Sequence, residues 1–174
     1  MNRGELLTRL TVWLALLAYA GGAGSILVAK EQPRMLARAR WMWTLGCGFF
    51  LAHVMCAFGY FHGWSHDAAY RETARQTAEM TGVNWGGGIF LNYLFALAWL
   101  ADVLWWWLAP ESFRSRSTRL TIAWHSFMLF MIFNGTIVFG HGPVRGLGVL
   151  ICAGLAATWW WQHRTELAAR STAR

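Results

Sequence analysis

Charge is what this sequence has least of. Only 13% of its 174 residues are charged, 56% are hydrophobic, and the mean hydropathy is +0.33. A soluble domain carries roughly twice that charged fraction, and a disordered chain has few aromatic residues. Both classes are disfavoured. Cysteine is also scarce. Cys47, Cys56 and Cys152 all lie inside apolar runs, their number is odd, and no CxxC spacing occurs. That disfavours a disulfide framework and a zinc-finger pattern, and without CxxCH there is no covalent c-type haem. No GxSxG motif appears, and Ser65, Ser126 and the cysteines have no evident general-base partner. The apolar runs lack period-two alternation, which argues against a membrane β-barrel.

What is abundant is aromatic and aliphatic surface, including 13 Trp and 11 Phe. Runs of roughly 20 apolar residues suffice to cross a bilayer as helices. Five are found, at about 10–29, 41–61, 86–109, 120–139 and 143–161. The expected fold is an all-α integral membrane protein, a five-helix transmembrane bundle in a single domain. The segment 62–85 between spans two and three reads as a short outer surface helix. Ser65 is placed as its N-cap, Asp67 in its first turn and Gly82 just past its end. Gly86, Gly87 and Gly88 then form a flexible connection. They are not a phosphate loop, because no Walker lysine and no preceding strand accompany them.

The net charge of +7 does not imply nucleic acid, since the basic residues sit in short loops between apolar runs. Lys30, Arg34, Arg38, Arg40, Arg114, Arg116, Arg119, Arg164, Arg170 and Arg174 share one side of a five-span arrangement. Arg3, Arg9, Arg71, Arg75 and Arg145 share the other. That asymmetry places the N-terminus outside and the C-terminus in the cytoplasm. Trp41, Trp43, Trp105, Trp106, Trp107, Trp124, Trp159, Trp160 and Trp161 then lie near the inner boundary, where indoles favour the headgroup level. Arginine dominates over the single Lys30, which suggests a bacterial, GC-rich genome and so the bacterial inner membrane. Ala18-Tyr19-Ala20 before Gly21 resembles a signal-peptide cleavage site that would remove residues 1–20. Glu5 and the basic loop after Ala29 favour a retained helix, with Gly21, Gly22 and Gly24 as a close-packing face.

Polar residues inside spans are the best functional pointers. At about 1.5 Å of rise per residue, His53, Asn92 and Asn134 fall at nearly one level in the outer half. Asp102 and His125 fall about 6–7 Å above the inner boundary, on neighbouring antiparallel spans, and are expected to pair. Outside, His62, His66, His141 and Asp67 gather above His53. Imidazoles and a carboxylate on one side of a bundle suit copper, zinc or iron, and His62-x-x-x-His66 has a one-face helical spacing. Haem ligation by His53 and His125 is disfavoured by their depths, which differ by about 10 Å.

Three functions follow as expectations. The first is a non-catalytic accessory or assembly component, with the lipid bilayer and other membrane subunits as partners. The second is a metal- or haem-binding redox protein using the outer histidines. The third is a small transporter or sensor whose polar path links the two intramembrane layers.

Overall fold

A computed structural model describes residues 2–28, 32–140 and 142–172. Among the described residues every element is helical. The order is α1 (Arg3–Val28), α2 (Pro33–Phe61), α3 (His66–Thr81), α4 (Gly88–Leu108), α5 (Pro110–Arg114), α6 (Thr118–Phe133) and α7 (Pro143–Thr172). A π turn, Asn134–Val138, extends α6. Each of the three prolines opens a helix, at Pro33, Pro110 and Pro143. Proline fits the first turn because its missing N–H has no helical partner there.

Four helices are long and apolar enough to cross a membrane: α1, α2, α4, and α6 with its π turn. Among the described residues, the apolar stretch of α7 covers Pro143–Thr158, which is below that length. The five-span expectation is therefore matched in four helices. The helices also begin earlier than their apolar cores. α1 starts at Arg3, where Glu5 pairs with Arg9 at 2.7 Å, and α2 starts at Pro33, well before Trp41. α1 runs unbroken through Ala18–Gly21, and Leu16 and Tyr19 are part of the core.

The surface helix α3 forms where expected. Ser65 Oγ accepts from the Ala68 N–H at 3.2 Å, and Gly82 ends the helix at φ 78°. The triple glycine has a packing role. A Cβ on Gly86 would lie 2.5 Å from the Tyr70 carbonyl oxygen, and one on Gly88 would lie 3.3 Å from the Thr73 methyl. Glycine there lets α3 settle directly onto the start of α4.

The helices form a ring: α1 packs on α2 and α7, α2 on α4, α4 on α6, and α6 with its π turn on α7. Tyr19, Trp43 and Trp99 fill the centre and are 1–2% exposed. Their rings stand 5.4–6.0 Å apart, at tilted and edge-on angles that suit aromatic quadrupoles. Small residues make room for them. A Cβ on Gly22 would sit 3.3 Å from Trp43, and one on Gly46 would sit 2.9 Å from Trp99. Of the three glycines expected on the packing face, Gly22 meets the Trp43 backbone, Gly21 meets only the flexible Met42 end, and Gly24 meets nothing. Outward-facing Leu97, Leu108, Ile122 and Leu150 are more than 60% exposed, a surface that fits lipid contact.

At the α5 end an ion pair closes the bundle. Arg116 Nη1 donates to Asp102 Oδ1 at 3.0 Å, with both side chains less than a tenth exposed. Trp43 Nε1 donates to the other oxygen, Oδ2, at 2.9 Å. The Arg116 guanidinium also lies over Phe113, which stacks on Trp106 at 4.5 Å. Removing one member of a buried pair leaves the other uncompensated, at a cost of about 3–5 kcal/mol. We expect Arg116→Ala to lower the thermal unfolding midpoint in detergent sharply. The double variant Asp102→Leu/Arg116→Leu should recover most of that loss.

Candidate functional site

A cavity of about 480 Å³ opens at the α3 end, walled by α1, α2, α4 and the π turn, with α3 above it. Its character changes with depth. His62, Glu72, Thr73, Gln76 and Tyr93 line the mouth together with the apolar Phe58, Ile89 and Phe139, His53 and Asn92 the middle, and Tyr19, Phe50, Phe95 and Trp99 the floor. The levels follow from antiparallel register. Gly46 of α2 lies against Trp99 of α4. Seven residues along each helix, in opposite directions, bring His53 level with Asn92, about 10 Å nearer the mouth.

His53 is held by its neighbour helix. Its Nδ1 lies 2.9 Å from the Thr8 carbonyl oxygen of α1. A carbonyl only accepts, so Nδ1 carries the proton and donates, and Nε2 of the neutral ring is left as an acceptor. Phe50 touches His53 at 6.2 Å between ring centroids, Phe95 at 4.8 Å and Trp99 at 5.8 Å, tying the middle of the cavity to its floor. Four buried side-chain nitrogens have no hydrogen-bond partner among the described residues, on Trp13, Arg40, Trp99 and Trp124. Of these, Trp99 lines the cavity.

The π turn supplies the remaining wall through Gly135, Thr136 and Phe139. The Phe139 N–H donates to the Asn134 carbonyl at 2.9 Å, one residue wider than an α-helical bond. Such turns recur at functional sites. Thr136 is 3% exposed and donates back to Ile132 at 2.7 Å. A Cβ on Gly148 would overlap the Thr136 hydroxyl, so the glycine admits α7 against this turn. Asn134, expected at the His53 and Asn92 level, turns away. Its amide donates to the Phe130 carbonyl of its own helix at 2.8 Å.

At the mouth, Arg75 grips Glu72 through two bonds of 3.0 and 2.6 Å, and Gln76 adds a third at 2.8 Å. Arg75 also bonds Glu79. The Arg75 hydrogen bonds pull the Glu72 carboxyl down from 4.5 to about 2, and the same contacts push the Arg75 guanidinium up. His66 is exposed on α3, with Nδ1 2.8 Å from the Tyr93 hydroxyl.

The expected metal ligands do not assemble. Among the described residues, no three His, Cys, Asp or Glu side chains come together. His53 is bound to Thr8 and His66 to Tyr93, the His62 ring lies 5.7 Å from Phe58, and Asp67 pairs with Arg71. His141 lies outside the described residues. Asp102 and His125 do not bond to each other. Arg116 and Trp43 take the Asp102 oxygens, while the His125 ring stands edge-on to Trp43 at 6.1 Å. His125 instead lines a second, mostly apolar groove of about 650 Å³ between α1, α6 and α7. Tyr19 borders both hollows, and neither is lined by Asp102. The two polar layers are thus separated by packed aromatic rings.

Sequence reasoning passed over Glu72, Gln76, Tyr93, Phe50 and Trp99. The Glu72–Arg75–Glu79 spacing was a visible signal for a helical ion-pair cluster. Nothing in the sequence singled out Trp99 among 13 tryptophans. Compared with protein-family models, curated proteins and solved structures, the chain has no match.

Because the Glu72 carboxyl is lowered on folding, its ion pair supports α3 above about pH 4.5 and loses that contribution as pH falls through about 2. Carboxyl-carbon NMR should show Glu72 titrating near pH 2 in the folded protein. Arg75→Gln should return it toward the ordinary 4.5.

Proposed function

We propose that this chain is a small bacterial inner-membrane protein that binds a small amphipathic molecule in the cavity beneath α3, acting as a sensor or carrier. The N-terminus lies outside, the C-terminus is cytoplasmic, and α7 completes five spans. The observation that carries the reading is the cavity's lining, in which charge lies towards the mouth and the floor is aromatic. Its size of about 480 Å³ suits a small molecule. An accessory subunit would use the outward apolar face, whereas the hollow is what a ligand-binding role uses. A transporter needs a path between its two polar layers, whereas here Tyr19, Trp43 and Trp99 are packed between them. Ligand binding without a through-path fits both facts.

Wild type and Ala57→Phe are to be purified in mild detergent, extracted with solvent and surveyed by mass spectrometry. Ala57 lines the cavity, and a phenyl ring there fills it. A stoichiometric small molecule is expected with wild type and absent from the variant, at matched unfolding midpoints. Equal recovery from both would refute the reading. Reporter fusions after Ser115 and after Gly82 test the topology, with Ser115 expected in the cytoplasm and Gly82 outside.

A further inference from the structure

The groove of about 650 Å³ between α1, α6 and α7 lies on the flank of the bundle. Its α6 wall is a single stripe, Thr121, His125, Leu129 and Phe133, each about one turn beyond the last. That stripe is about 18 Å long. Half of a hydrocarbon core about 30 Å thick, the depth of one leaflet, is close to that length. Ala23 and Ile26 of α1 and Leu155 and Ala156 of α7 form the opposite sides. Ile122 and Phe133 on the α6 side are exposed, so the groove opens toward lipid. Its lining is mostly apolar and its length is that of one hydrocarbon chain.

The α5 end of the groove carries charge. A smaller hollow of about 170 Å³ adjoins it there, and Ile26 and Thr121 line both. Arg114 and Arg116 line the smaller hollow. Arg116 is spent on the buried Asp102. Arg114 is held far more loosely. Its ion-pair partner among the described residues is Glu111 at 4.0 Å, with the two side chains 56% and 89% exposed. An exposed pair at that distance contributes little. A guanidinium with open donors therefore stands beside the start of the groove. Because α5 lies outside the four apolar helices, this charge sits at the membrane edge. A phosphodiester presents the oxygens that a guanidinium fork matches. Charge at the edge with hydrocarbon below it is the layout of a phospholipid.

We propose that this flank binds one anionic glycerophospholipid of the bilayer: an acyl chain lies in the groove between α1, α6 and α7, and the phosphodiester accepts from Arg114. The site is separate from the cavity beneath α3 and does not depend on what that cavity holds. An anionic headgroup is preferred, because a zwitterionic one brings its own cation to compete with Arg114 for the phosphate.

Dioleoyl phosphatidylglycerol and dioleoyl phosphatidylcholine carry identical chains and differ in headgroup charge. Their binding to the full-length protein in neutral detergent is to be measured by native mass spectrometry. Wild type should bind the first about tenfold more tightly, the scale of one charge-assisted hydrogen bond. Arg114→Gln should reduce that preference to about twofold or less. Arg34→Gln removes an exposed arginine near the same hollow, two residues from its lining Leu36, and should keep the preference. Ala156→Phe puts a ring into the groove and should weaken both lipids about fivefold at an unchanged unfolding midpoint. If that variant unfolds, phosphatidylglycerol with a diazirine on its acyl chain tests the same point in wild type, with crosslinks expected on α6 between Thr121 and Phe133. Equal affinity of wild type for the two lipids would overturn the proposal. So would an equal loss of preference in Arg34→Gln and Arg114→Gln, the mark of a diffuse basic surface. Unchanged binding by a folded Ala156→Phe, or crosslinks absent from that stretch of α6, would remove the chain from the groove and overturn it as well.

Discussion

An indole buried in hydrocarbon still carries an N–H that must find an acceptor, and Trp43 meets that demand in a way that organises the bundle. Its nitrogen donates to Asp102 on α4, its ring meets Tyr19 of α1 and His125 of α6, and Gly22 of α1 lies against its backbone. One side chain on α2 therefore touches three other helices. A carboxylate at this depth needs more than one indole donor. Arg116 supplies the rest from the connection after α5, drawing that loop against the bundle with Phe113 and Trp106 stacked behind it. Satisfying one polar atom thus fixes the helix neighbours and the closure of one end.

The opposite end is built on a different principle. There a hollow remains between the helices, and residues of α3 line its mouth. Gly86 and Gly88 let α3 approach closely, and the π turn at Asn134–Val138 widens α6 where it faces the hollow. The same device that seals the α5 end, aromatic rings packed through the centre, becomes the floor of the cavity. One end spends its polar groups internally, and the other leaves some of them facing open space.

Much of this was legible in the linear chain. Low charge and long apolar runs dictated helices in a bilayer, since backbone groups have no other way to be satisfied there. Ser65 and Gly82 marked the ends of α3, because capping is a local matter of side-chain oxygen and backbone conformation. The shared level of His53 and Asn92 followed from helical rise alone. Length estimates were less secure. The helices of α1 and α2 run past their apolar cores, because charged first turns remain helical at an interface.

The sequence by itself determined that the long apolar segments are helical and where α3 begins and ends. These depend on composition and local capping. Only the tertiary structure decided which way each residue faces. Depth put Asp102 beside His125, yet rotation gave Asp102 to Trp43 and Arg116; depth put Asn134 with His53, yet the π turn directed its amide to Phe130. Helix rotation is set by how rings and glycines from distant segments interlock, as Gly22 does with Trp43 and Gly46 with Trp99, and no local signal encodes that fit.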